Sequence, residues 1–152
     1  MQKITTFLTF NNQTEEAVNF YVSIFKNSKV LNWMRMGPEG PVMSATFQLE
    51  GQNFMALNGG PSFSFAQGFS LFVSCDTQAE IDELWSQLSA GGSDERCGWV
   101  KDKFGVSWQL VPPILGKYLG DKHPAKAKSV LDAMLKMHKL DIAALQEAYD
   151  RG

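Results

Sequence analysis

The sequence predicts an α+β fold of two related βαβββ modules followed by a helical tail, and three observations carry that expectation. The same order of strand-like and helix-like stretches occurs twice, over about residues 1–60 and 67–113. Glycine and proline punctuate both copies at matching places. Beyond Pro112-Pro113 the composition changes to Ala, Lys, Leu and Met.

Residues 3–11 are rich in β-branched and aromatic types and end at the Asn11-Asn12 turn signal, which predicts a strand. Thr14 is the expected N-cap of the first helix, with Glu15 and Glu16 where the helix dipole favours negative charge. Ala17, Phe20, Tyr21 and Ile24 then recur at helical spacing and form one apolar stripe. Three strands follow, over 28–36, 41–50 and 52–58. They are separated by Gly37-Pro38-Glu39-Gly40 and by Glu50-Gly51, the latter short enough for a tight hairpin.

After Gly59-Gly60-Pro61 and an aromatic loop with Phe63 and Phe65, the pattern restarts. A strand is expected over 68–75, a helix capped by Asp76 or Thr77, and a stripe of Ile81, Leu84, Trp85 and Leu88 that ends at Gly91-Gly92. Strands over 96–101 and 106–112 follow, with a short edge strand near Ser93. Phe20-Tyr21 of the first helix matches Leu84-Trp85 of the second, and Gly51 before one final strand matches Gly105 before the other. Neither module can bury a sheet face alone, so the two are expected to pair into a cup-shaped mixed sheet, one domain over 1–113. The 114–152 extension reads as a short helix over 114–119, a helix with Pro124 at its first position, and a last helix capped by Asp141. Its apolar stripes are expected to pack on the domain or on a partner subunit.

A chain of 152 residues is long enough to bury roughly 70% of its unfolded surface. The net charge of -2 supplies no basic field for a phosphate backbone, which argues against a nucleic-acid partner. The late lysines, Lys136 and Lys139 among them, are mixed with acidic residues in the manner of a solvated helix surface. No window approaches the ~18 apolar residues of a membrane span, and no export signal is recognisable at Met1-Gln2-Lys3, so a cytoplasmic location is expected. Cys75 and Cys97 are read as small buried or half-buried residues.

Three stretches resemble the vicinal oxygen chelate superfamily, the glyoxalase, bleomycin-resistance and dioxygenase group. They are residues 17–21 (Ala-Val-Asn-Phe-Tyr), Leu57-Asn58-Gly59-Gly60-Pro61 with Phe63 and Phe65, and Cys97-Gly98-Trp99 continuing through Gln109. Within that group the chain is most similar to the PhnB-like branch, often labelled 3-demethylubiquinone-9 3-methyltransferase. The resemblance implies paired βαβββ modules and, in the enzymes, a divalent metal held by His and Glu on inward-facing strands. Here the implied positions fall on Thr5 or Thr6, between Gly68 and Ser70, and on Gln109. One neutral amide oxygen is a weak ligand, and His123 and His138 lie in the tail, so no tightly bound metal and no cofactor are expected. Methyl transfer from S-adenosylmethionine commonly uses a parallel sheet with a Gly-rich first turn, which this strand order does not supply.

If Gln109 faces the cup, alternation puts Ser107 and Val111 beside it and turns Trp108 and Leu110 away. Trp99 and Lys101 share a face on the preceding strand, as Trp33 and Arg35 do in the first module. Each tryptophan has two readings, packing or ligand stacking. Thr5, Phe7, Met55, Asn58, Phe63, Phe65 and Ser70 complete the set of candidate ligand contacts. The leading function is a metal-free small-molecule binding protein. The alternatives are a metal-dependent lyase, isomerase or dioxygenase completed around Gln109, and an enzyme that polarises a carbonyl with Lys101 or Arg35. The exposed aromatic loop and the tail's apolar stripes together predict a homodimer.

Overall fold

The computed structural model describes residues 2–152 and divides the chain into two compact units, the first ending at Ser64 and the second spanning Phe65–Gly152. The first contains β1 (Thr6–Phe10), α1 (Thr14–Ile24), β2 (Lys29–Arg35), β3 (Val42–Leu49) and β4 (Gln52–Asn58). Its sheet has the order β1-β4-β3-β2, with β1 parallel to β4 and the other pairs antiparallel. The second contains β5 (Leu71–Ser74), α2 (Gln78–Ser89), β6 (Ser93–Asp94), β7 (Trp99–Lys101) and β8 (Ser107–Val111), in the corresponding order β5-β8-β7-β6. The repeat expected from the punctuation is therefore a repeat of topology as well.

Strand alternation divides each sheet into a covered and an open face. In the first unit Leu8, Phe10, Ala45, Phe47, Phe54 and Ala56 are buried on the side that receives Ala17, Val18 and Tyr21 of α1. Phe47 and Phe54, opposite each other on β3 and β4, stack with centroids 5.5 Å apart. Each such side chain contributes about 1.5–3 kcal/mol by leaving water, which is what holds helix to sheet. The stripe of α1 is rotated from the expected one. Thr14 and Val18 are buried, while Phe20 and Ile24 are half-exposed.

Thr14 is also not the cap. It is the first helical residue, and its backbone N–H is satisfied by Asn58 Oδ1 at 2.9 Å, a capping bond supplied from β4. The second helix is capped as expected by Thr77, whose hydroxyl accepts from the Glu80 N–H at 3.2 Å. All of Ile81, Leu84, Trp85 and Leu88 are buried.

The tail forms α3 (Pro113–Leu119), α4 (Pro124–Met134) and α5 (Ile142–Arg151), the last capped by Asp141, which accepts from the Ala144 N–H at 3.0 Å. It clusters with the second module. Val111, Leu115, Tyr118, Val130, Leu140, Leu145 and Ala148 form one apolar core. Gln78 at the start of α2 holds the segment leading into α5 from both sides, donating to Leu140 O at 3.0 Å and accepting from the Ile142 N–H at 2.7 Å. Part of each apolar stripe expected to help cover a partner is thus buried within its own chain, while Leu131 and Leu135 of the α4 region stay exposed. Among the described residues no helix is long and apolar enough to cross a membrane.

Candidate ligand-binding site

The open face of the first sheet collects Phe7 and Thr9 from β1, Met55 and Leu57 from β4, Ser44 and Thr46 from β3, and Met34 from β2. The register pairs Phe7 with Met55, Thr9 with Leu57, Met55 with Thr46 and Ser44 with Met34. Phe7 and Met34 keep 51% and 53% of their surface exposed, although both belong to types that strands usually bury. At one end Phe63 folds back toward this face. A Cβ added to Gly59 would lie 2.4 Å from Thr9 Cγ2 and 2.9 Å from the Phe63 ring, so only glycine admits that approach. At the other end Gln48 donates to Asn53 Oδ1 at 2.8 Å. The result is an apolar floor set with hydroxyls and bounded by an amide pair. Thr5 precedes β1 on the same alternation as Phe7 and is partly buried.

The second sheet's open face is more polar. Trp99 lies opposite Gln109 and Lys101 opposite Ser107, while Phe72 of β5 pairs with Gln109 from the other side. Gln109 Nε2 donates to Ser70 Oγ at 2.9 Å, which fixes the amide and presents Oε1 as the acceptor it can offer. Trp108 and Leu110 point to the buried side, as alternation requires. Phe72 is 60% exposed beside this group. Ser107 and Val111, expected beside Gln109, are both buried, Val111 in the tail core.

The structure separates the remaining candidates from these faces. Trp33 pairs with Ala45, a buried residue of the helix-covered side, and Arg35 reaches Glu15 of α1 at 3.5 Å and donates to Gly40 O at 3.2 Å. Both therefore lie on the α1 side of the sheet, opposite Phe7 and Met55. The shared strand face was legible, but which face it is depends on the register with β3. Asn58 is committed to structure, accepting from the Thr14 N–H and donating to Val42 O at 3.1 Å. Phe65 is half-buried, with Gly105 beside it in the second unit, and does not share the exposure of Phe63.

Conversely, Phe72, Met34 and Thr9 were not singled out from the sequence. The signal for Phe72 was its alternation with Ser70, which becomes readable only once the parallel pairing of β5 with β8 is known.

Among the described residues, no three His, Cys, Asp or Glu side chains converge as a metal site would require. The positions implied for metal ligands carry hydroxyls and one amide already bonded to Ser70. This donor set does not fit a tightly held divalent ion. Cys75 is no nucleophile either. Burial, with a smaller push from the neighbouring Glu80 charge, raises its thiol to about 12. In the tail, Asp121 is held down to about 2, first by the Tyr149 hydroxyl that donates to it at 2.7 Å and then by His123. That contact ties the α3–α4 turn to α5.

Two βαβββ modules with the same strand order, each leaving one sheet face open, place the chain in the glyoxalase and bleomycin-resistance class of folds. The chain belongs to the family described as 3-demethylubiquinone-9 3-methyltransferase, whose model matches residues 2–111. A PhnB protein from Bacillus cereus, provisionally assigned as a 3-demethylubiquinone-9 3-methyltransferase, is 39% identical. The match covers 73% of this chain and 99% of that one with a TM-score of 0.68. A Pseudomonas aeruginosa protein at 24% identity (72% and 96% covered, TM-score 0.61) shares the fold. So does the genomically encoded fosfomycin resistance protein FosX of Listeria monocytogenes, solved with Mn(II) and sulfate, at 15% identity (78% and 96% covered, TM-score 0.53). No curated protein matches.

Proposed function

We propose that this chain is a metal-free, cytosolic, homodimeric binding protein of the bleomycin-resistance type, with an apolar or aromatic small molecule held against an open sheet face. The observation that carries the reading is the composition of the two open faces. Phe7, Met34, Met55 and Phe63 on the first face, and Phe72 on the second, are large apolar groups left in water, and each face also carries hydroxyls and amides, such as Gln109 bonded to Ser70 on the second. Such a surface suits a ligand with an extended apolar body and a few hydrogen-bonding atoms. Trp99 supplies a ring to stack on, and Lys101 a cation for an anionic substituent.

The exposed apolar groups of the first face support a dimer, because monomers rarely leave contiguous apolar surface uncovered and a two-fold pair is the commonest way to bury it. Native mass spectrometry of the purified protein tests both parts at once. The expected spectrum is a dimer whose mass leaves well under one metal ion per chain. A monomer at micromolar concentration, or a stoichiometric divalent ion that survives dialysis, refutes the corresponding part.

The family description does not extend to methyl transfer in this reading. Neither module supplies the parallel sheet with a glycine-rich turn on which S-adenosylmethionine is commonly held, since each has a single parallel pair. Calorimetry with S-adenosylmethionine is expected to give no heat of binding, and micromolar affinity would overturn this exclusion.

A further inference from the structure

We infer that a cavity in the second unit, between the loop carrying Arg96 and the turn that follows α4, binds the phosphate group of a small phosphorylated molecule. The cavity has a volume of about 320 Å³ and is lined by Arg96, Leu135, Lys136, Met137 and His138. That volume is at the lower end of the range for small-molecule sites, ~300–1,000 Å³. None of its lining residues belongs to the open sheet faces.

Its construction follows from the backbone. Helix α4 ends at Met134, so Lys136 and His138, which the sequence suggests are solvated helix residues, stand on a turn. Two hydrogen bonds clamp that turn to the opposite wall, Cys97 N–H to Met137 O at 2.9 Å and Gly98 N–H to His138 O at 2.8 Å. The clamp also engages the Met137 and His138 carbonyls, whose negative ends would repel an anion. Three of the five lining residues are donor-rich types, an arginine, a lysine and a histidine.

Of the three arginines, Arg96 is the one without a carboxylate partner among the described residues, and it shares the cavity with Lys136. Arg35, Lys128, Lys139 and Arg151 each have a carboxylate partner, at 3.5, 2.8, 2.9 and 3.3 Å. Among the described residues neither Arg96 nor Lys136 has one, and no Asp or Glu lines the cavity. Two like charges sharing a concave site repel each other, and an anion between them relieves that repulsion. A phosphate accepts the bidentate geometry of arginine and the point charge of lysine together. Leu135 and Met137 offer an apolar wall to the organic part of a phosphate ester.

The test is a ¹⁵N chemical-shift titration of the full chain with inorganic phosphate and with phenyl phosphate at constant ionic strength. The expected result is a saturable response centred on Arg96 and residues 135–138. Phenyl phosphate is expected to bind more tightly than phosphate, and affinity to fall about tenfold or more when Arg96→Ala and Lys136→Ala are combined. Both side chains are exposed, so the thermal midpoint of this variant should match the parent, and Lys117→Ala on α3 serves as a charge control. Unsaturable shifts spread over the lysines, or equal loss in the control, overturn the site. Equal affinity for both probes overturns the assignment to a phosphorylated organic molecule.

Discussion

Asp102→Ala is expected to lower the thermal midpoint by roughly 10 °C, corresponding to a loss of about 3–5 kcal/mol. Asp102 is 2% exposed and sits at the turn between β7 and β8. Its Oδ1 accepts from the Phe104 and Val106 N–H groups at 2.9 and 3.0 Å, and its Oδ2 from Trp108 Nε1 at 2.9 Å. Removing the carboxylate strands these donors where water does not replace it, and each orphaned donor costs about 1–3 kcal/mol. Asp102→Asn keeps one accepting oxygen but sets an amide N–H₂ against the indole N–H, so it should fall between parent and alanine variant. The turn also sets the register that places Trp99 opposite Gln109 and Lys101 opposite Ser107, so the ligand floor depends on it. An alanine variant melting within about 2 °C of the parent would show that the turn holds without its carboxylate.

Gly98→Ala should cost about 2–4 kcal/mol, through backbone strain and a steric conflict with the tail. Gly98 has φ +86°, a conformation L side chains rarely adopt, and follows Cys97 at φ +60°. A Cβ there would stand 3.0 Å from the Leu140 side chain and 3.1 Å from Leu110 O. The carbonyl belongs to β8 and has little freedom to retreat, while Leu140 is fully buried in the tail core. Chemical denaturation of Gly98→Ala, Leu140→Ala and the double variant separates the two causes. If the clash contributes, the double variant loses less than the sum of the singles by more than about 0.5 kcal/mol. Strict additivity would assign the whole cost to the backbone.

Most of the architecture was legible because the elements announce themselves locally. Period-3.6 and strand-like runs bounded by glycine and proline placed each helix and strand close to its observed position, and their recurrence predicted the topological repeat. The likeness of residues 2–111 to one family was carried by motifs that are contiguous in the chain. Alternation likewise put Trp99, Lys101 and Gln109 on one face, because those strands are joined by a short turn whose register the sequence nearly dictates.

What the tertiary structure decided were the pairings between distant segments. Trp33 and Arg35 share a face, yet the irregular register of β2 against β3 turns that face toward α1. Asn58 resembles a loop contact until its bonds to Thr14 and Val42, 44 and 16 residues away, show it closing the module. The tail could have covered a partner, and it is the Gln78 bridge and the apolar core around Leu140 that dock it on its own chain. Local periodicity states that a side chain needs burial or a partner. Which surface provides it depends on loop closure and packing between residues far apart in sequence, and no short window of the chain records that choice.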